Sequence, residues 1–246
     1  MGKRILVQRK GRGGSNFRSP KWIKVGAAKY NNPQKVDYES KITGVVKELL
    51  HDPGRGCPLA LLKYENGSEE LIVAPEGIHV GKNIEKGALA SIEVGNILPI
   101  GRIPEGTSVC NIELRPGDGG KLARRSGAYA VIVGHSADQT IIKLPSGKMK
   151  TIDSRCRATI GIVAAGGRVE KPFVKAGNKY HSIKRKATKW PIVRGKAMVA
   201  ASHPHGGGSH PKGGIPVPKT APPGQKVGVI ASRRTGRKKG APRKVR

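Results

Sequence analysis

The chain has 246 residues, with 47 Lys/Arg against 16 Asp/Glu, a formal charge of +31 and a pI near 10.6. That length suits one large or two small domains, and a charge of this size points to an anionic partner, nucleic acid before all others. No apolar run approaches the ~18–20 residues of a membrane span, no secretory h-region follows Lys3 and Arg4, and no basic amphipathic helix offers an apolar face to an anionic membrane.

Aromatic residues make up only 4% of the chain, and 35 Gly and 18 Pro favour turns and extended arms. Cys57, Cys110 and Cys156 form no C-x-x-C pair, so a zinc knuckle is not supported. Their odd number argues against a disulfide framework; buried reduced thiols and a reducing, cytoplasmic setting are expected.

Charge divides the sequence into four parts. Residues 1–35 carry +10, 36–115 carry −4, 116–197 carry +14 and 198–246 carry +11. A mere polycation would not keep 12 of its 16 acids in one third of its length, as residues 36–115 do. A folded middle with basic arms is therefore expected. The N-terminal arm, 1–35, shows neither helical nor strand periodicity and mixes Arg9, Arg12 and Arg18 with Phe17 and Trp22. Alone it buries too little to offset its ordering entropy; on RNA its guanidinium and aromatic planes can stack on bases.

Residues 36–115 read as strands: Lys41–Leu50, Leu59–Tyr64, Glu69–Ala74, Leu89–Val94 and Ser108–Leu114. Asn66-Gly67 between the second and third is a hairpin signal. Five short strands punctuated by Gly and Pro predict an oligonucleotide-binding (OB) type barrel. The turn cluster from Arg115 to Gly120 reads as a boundary. Beyond it, in 116–197, Ala128–Gly134, Gln139–Leu144, Lys148–Ile152 and Arg157–Val163 predict an SH3-like barrel. Lys121, Arg124, Arg125, Arg155 and Arg157 flank those strands, where phosphate contacts are expected. A short basic helix is predicted around Lys175–Lys186, with Lys184 and Arg185 on it. Residues 198–246 predict an extended arm containing Arg233, Arg234 and Arg237.

The stretch with the most chemistry is Arg194–Gly208, RGKAMVAASHPHGGG. His203 and His205 flank Pro204, and Gly206, Gly207 and Gly208 follow. An imidazole suits proton transfer, but the residue before His203 is Ser202 and the nearest upstream acid is Glu170. No G-x-S-x-G nucleophile motif is present, and the H-P-H spacing, even with His210, is a poor metal site. Gly119-Gly120 and Gly166-Gly167 make no P-loop. No cofactor and no metal are expected. The residues fit a loop packed between RNA strands, with Arg194 and Lys196 at its entrance.

RGKAMVAASHPHGGG resembles the C-terminal loop of the universal large-subunit ribosomal protein L-two family. LPSGKMKTIDSRCRATIG (144–161), IPEGTSVCNIELRPGDGGKLARRSG (103–127) and APPGQKVGVIASRRTGR (221–237) support the resemblance, in the family's order. The tail resembles the archaeal and eukaryotic branch. The resemblance implies an OB-type barrel, an SH3-like barrel and both termini extended into ribosomal RNA. It implies large-subunit rRNA and neighbouring ribosomal proteins as partners, and the small subunit through an intersubunit bridge. It implies roles in subunit assembly and association, tRNA binding and a competent peptidyl-transferase region. Bacterial relatives often place Asp before the first histidine, where Ser202 stands here, and this weakens a general-base role for His203.

The expected function is thus a structural, non-catalytic constituent of the ribosome. Two rivals remain: an enzyme using His203 or His205 for proton transfer in peptidyl transfer, and an unspecific nucleic-acid chaperone.

Overall fold

The structure, a computed structural model, describes residues 3–33, 36–209, 213 and 215–232. The chain divides into two compact units, one of residues 20–175 and one of residues 1–19 with 176–246.

The 20–175 unit is mainly β. Its strands are β1 (Lys41–Leu50), β2 (Leu59–Tyr64), β3 (Glu69–Val73), β4 (Asn83–Gly87), β5 (Ile97–Pro99), β6 (Ser108–Cys110), β7 (Ala130–His135), β8 (Gln139–Lys143), β9 (Met149–Asp153) and β10 (Arg157–Ile160). The β2–β3 hairpin turns where the Asn-Gly pair predicts. Gly67 takes φ 78°, which suits glycine, and Asn66 Oδ1 accepts the Ser68 amide at 3.0 Å. The antiparallel register follows, with Leu59 opposite Val73 and Leu61 opposite Leu71.

The strands form one ladder in the order β3-β2-β1-β4-β5-β10-β6-β7-β8-β9 rather than two separate sheets. Hydrogen bonds beyond it fold each half back on itself. Past β3 and β10, Ala164 N donates to Ala74 O at 3.0 Å and Glu76 N to Ile162 O at 2.7 Å. Past β5 and β9, Gly101 N donates to Ser154 O at 3.0 Å and Ile100 N to Cys156 O at 2.8 Å.

Each half encloses a core. Tyr30, Val46, Leu62, Ile72, Ile84 and Ile97 fill one; Leu98, Ile100, Val109, Ile132, Ile142 and Ile160 fill the other. Adjacent residues of β5 serve opposite cores because strand side chains alternate. β10 is common to both halves: Thr159 lies opposite Ile97 of β5 and Cys110 of β6. The three cysteines are free and buried. Burial pushes the Cys110 thiol up to about 12, with Cys57 adding to it.

Two expectations are corrected. Leu89–Val94 forms turns rather than a strand, and Leu89, Ile92 and Val94 are exposed. The chain must leave β4 at Gly87, φ 138°, where a Cβ would stand 2.2 Å from Ser40 O. Glu85 and Asn96 then hold the turn through Ser91. The neighbouring strand is β4, NIEKG, which has a single apolar residue to signal it. The second correction is the end of the N-terminal arm. Residues 20–33 belong to the β unit, with Ala28 and Tyr30 buried.

In the other unit, the predicted basic helix is Ala176–Lys184, with no buried residue. This helix belongs to the unit of the terminal segments, not to that of the second barrel. The C-terminal segment contains two two-residue strands, β11 (Pro216–Val217) and β12 (Val229–Ile230), paired in parallel. No helix among the described residues is long and apolar enough to cross a membrane.

Candidate nucleic-acid interface

The geometry of the β unit begins with charges that are not on its surface. Arg157, at the start of β10, is only 1% exposed. Its guanidinium donates to Glu113 from Nε (3.2 Å) and Nη2 (2.7 Å), to Asp37 Oδ2 (3.1 Å) and to Asn31 O (2.9 Å). It also lies 5.3 Å from the Tyr30 ring centroid. Burial by itself lowers its pKa, but the Glu113 hydrogen bonds and the Glu113 and Asp37 charges raise it above the ordinary arginine value. Buried Lys86 joins the group, 3.2 Å from Glu70 and 3.6 Å from Asp37. Arg157 is thus removed from the RNA-contacting set. Its donors face carboxylates and a carbonyl inside the protein, as a buried cation requires.

Glu113 also organises the adjacent turn. Its carboxylate accepts Gly119 N at 3.0 Å, while Asp118 accepts Leu114 N at 3.1 Å and Gly120 N at 3.0 Å. That turn delivers Arg124, which donates to Gly120 O at 2.8 Å and to Ala28 O. Arg55 donates to Gly26 O at 2.7 Å and pairs with Asp52. With Ala27, Ala28, Lys29 and Arg125, these two arginines line an open cleft of about 490 Å³. Burial, and then the Arg55 charge, pull the Arg124 pKa below its ordinary value. Arg168, hydrogen-bonded to Ser126 Oγ at 2.8 Å, lies over Gly56 beside it. Lys29 and Arg125 are exposed and make no side-chain hydrogen bond or ion pair among the described residues. The cleft combines cations held by backbone carbonyls with exposed ones at its rim, a geometry that suits phosphate oxygens.

Sequence reading placed Arg124 and Arg125 here but missed Lys29, Arg55 and Arg168, which come from three other segments. The local hints were Arg55 between two glycines and Arg168 after Gly166-Gly167. Lys121 is exposed. Arg155 is exposed too, but its fork engages Asp153 at 3.2 and 3.0 Å. Beside it, Arg102, His135 and Ser154 help line a second cleft, of about 400 Å³.

The terminal unit holds the remaining expected residues. Arg9, Arg12, Arg18, Lys184, Arg194 and Lys196 are exposed and Arg185 is half-buried. Arg9 and Arg18 donate to Arg4 O and Gly13 O. Arg233, Arg234 and Arg237, like His210, lie outside the described residues.

The histidine loop closes on its own chain. His205 N donates to His203 Nδ1 at 3.0 Å, Gly206 N to His203 O at 2.9 Å and Gly207 N to Met198 O at 3.0 Å. The rings meet edge to face, 5.1 Å between centroids. A Cβ on Gly195 would stand 2.2 Å from the His203 ring, and one on Gly228 2.8 Å from the His205 ring. These two glycines, outside the triple-glycine run, seat the imidazoles. At Gly206 the close neighbours are Met198 O and Val199 O, so the close approach there is by this chain's own backbone.

His203 Nδ1 must accept, so the neutral ring is favoured. Burial, and then the His205 charge, lower its pKa. The resulting stabilisation is present above the ordinary imidazole value of ~6.5 and is lost as pH falls through the lowered one. An NMR titration should therefore place the His203 midpoint below ~6.5, and His205→Gln should move it upward. Among the described residues, no group of three or more His, Cys, Asp or Glu is placed to hold a metal.

The description "Ribosomal Proteins L2, RNA binding N-terminal domain" matches residues 2–86, and "Ribosomal Proteins L2, C-terminal domain" matches residues 93–227. The chain belongs to the ribosomal protein L2 family. Similar members carry the name large ribosomal subunit protein uL2 and come from archaea. The Thermofilum pendens protein is 58% identical, covering 99% of this chain and 98% of its own. That of Pyrobaculum islandicum is 61% identical, covering 96% of each. That of Methanocaldococcus jannaschii is 54% identical, covering 97% of this chain and all of its own. Lys29, Arg55 and Lys86 fall within the family's RNA-binding N-terminal match. Arg124, Arg125, Arg168 and the histidine loop fall within its C-terminal match.

Proposed function

We propose that this chain is a structural, RNA-binding constituent of the large ribosomal subunit, acting in the cytoplasm. The observation that carries this reading is the cleft of Lys29, Arg55, Arg124 and Arg125 in a family member whose residues 2–86 match the family's RNA-binding N-terminal domain. The β unit is the folded body that docks on ribosomal RNA. The exposed cations of the terminal unit extend the contact, and the histidine loop supplies a self-supported shape against RNA strands. Assembly of the subunit, an intersubunit bridge, tRNA binding and support of the peptidyl-transferase region follow as finer roles.

Phosphate neutralisation should dominate affinity, so binding of the full chain to a large-subunit rRNA fragment should weaken steeply with salt. Lys29→Gln with Arg125→Gln should reduce the slope of log K against log salt by about 0.7–0.9 per lost contact. An unchanged slope would remove the cleft from the interface. Equal affinity for duplex DNA of the same length would favour the chaperone reading instead.

The catalytic alternative predicts that His203→Gln or His205→Gln abolishes single-turnover peptide-bond formation on subunits that assemble normally. The internal use of His203 Nδ1 favours a structural role, in which these variants change loop stability and leave the chemistry intact.

A further inference from the structure

The β unit carries one surface that does not fit a polyanion. It is built from the loop between β3 and β4 and the loop between β4 and β5. Residues 74–81 and 87–95 contain no Lys or Arg, in a chain whose formal charge is +31. They contain Glu76 and Glu93, both exposed and without an ion pair among the described residues. They also expose Val80 (56%), Leu89 (65%), Ile92 (55%) and Val94 (42%).

The two loops are joined. Lys82 Nζ donates to Val94 O at 2.8 Å, so this cation is drawn to a carbonyl within the surface, and Lys41, the cation beside Ser91, is paired with Glu85 at 2.6 Å. Gly95 N donates to Ile160 O, which ties the second loop to β10. The Val94 side chain faces Gly161, whose Cβ position lies 3.0 Å from Val94 Cγ1 and 3.6 Å from Pro75 Cβ, next to Glu76. Gly81 N donates to Val46 O of β1. Short hydrogen-bonded loops on a β body make a firm platform rather than a loose one.

We propose that this face docks a Lys/Arg-bearing segment of a neighbouring protein of the large subunit; the proposal rests on the ribosomal reading above. Two arguments select that occupant. RNA is disfavoured, because phosphates beside Glu76 and Glu93 would repel them, and like charges at an interface cost binding energy. Water alone is a poor neighbour for four exposed aliphatic side chains carried on two joined loops, and exposed apolar patches mark protein contacts. A partner with apolar side chains against Val80, Ile92 and Val94, and cations toward the two glutamates, satisfies both.

The test uses the full chain with the photo-crosslinking residue benzoylphenylalanine at Ile92 and, in a second variant, at Val80. Each is expressed in cells and followed into the large subunit by sedimentation. After illumination and RNase treatment, mass spectrometry identifies the adduct. The expected result is an RNase-resistant adduct at both positions, mapping to a basic segment of one other large-subunit protein. Adding Glu76→Lys and Glu93→Lys should cut its yield roughly tenfold. A chain that sediments with the subunit but links to rRNA, to its own tail, to a second copy or to nothing overturns the docking proposal alone. A chain of normal fold that never sediments with the subunit overturns the ribosomal reading and the proposal with it.

Discussion

Arg157→Gln should lower the stability of the 20–175 unit by about 3–5 kcal/mol, the range for removing one partner from a buried ion pair. The substitution removes the positive charge that faces Glu113 and Asp37 and leaves both carboxylates in place, buried within the protein. Asn31 O loses its donor as well, so the 28–33 segment should loosen from β10. Urea unfolding followed by circular dichroism reads the loss as a lower midpoint. A double change, Arg157→Met with Glu113→Gln, should cost less than the single one, because it removes charge from both sides. RNA binding provides the cross-check. At a temperature where the variant is folded, its salt slope should match that of the unmodified chain, since Arg157 reaches no phosphate. A stable Arg157→Gln variant with a shallower salt slope would show that the guanidinium faces RNA.

The second large effect is expected at Gly206→Ala. A Cβ there would lie 2.4 Å from Val199 O and 2.5 Å from Met198 O, inside van der Waals contact with two backbone atoms. Backbone cannot yield as a flexible side chain can, so the loop must open. Opening breaks the Gly207 N to Met198 O bond and displaces His203, whose carbonyl accepts Gly206 N. Overpacking of this kind costs about 1–3 kcal/mol. The readouts are faster amide exchange across residues 198–207 and a His203 midpoint returning toward ~6.5. Gly177→Ala is the control. It sits in the helix Ala176–Lys184 with nothing within 4 Å of its Cβ position, and it should stabilise by about 0.5–1 kcal/mol. If both variants behave alike, the glycine in the loop is not a packing requirement.

Much of the β architecture was legible, and the exceptions have physical causes. Lys41–Leu50 and Leu59–Tyr64 were found at their observed bounds because apolar side chains recur along them and Asn66-Gly67 marks the turn. Asn83–Gly87 was missed because Lys86, a charge that normally signals solvent, is buried there between carboxylates from β3 and the short helix Val36–Glu39. Leu89–Val94 was mistaken for a strand because Leu89, Ile92 and Val94 are apolar, although they are exposed. Tyr30 was assigned to a basic arm because residues 1–35 carry ten cations and no acid; its hydroxyl meets Thr159 Oγ1 at 2.5 Å, 129 residues away.

The sequence by itself determined the class of partner, the mainly-β fold, the free thiols and the position of the histidine–glycine loop. These follow from net charge, short-range periodicity and composition, which are written along the chain. Only the tertiary structure decided which cations are available to RNA. Arg155 and Arg157 are separated by one cysteine, yet the first is exposed and the second is closed off by Glu113 and Asp37. Lys29, Arg55, Arg124 and Arg168 come together from distant segments. Whether a charge meets water, a carboxylate or a phosphate depends on what non-local packing places within a few ångströms of it, and no local pattern records that.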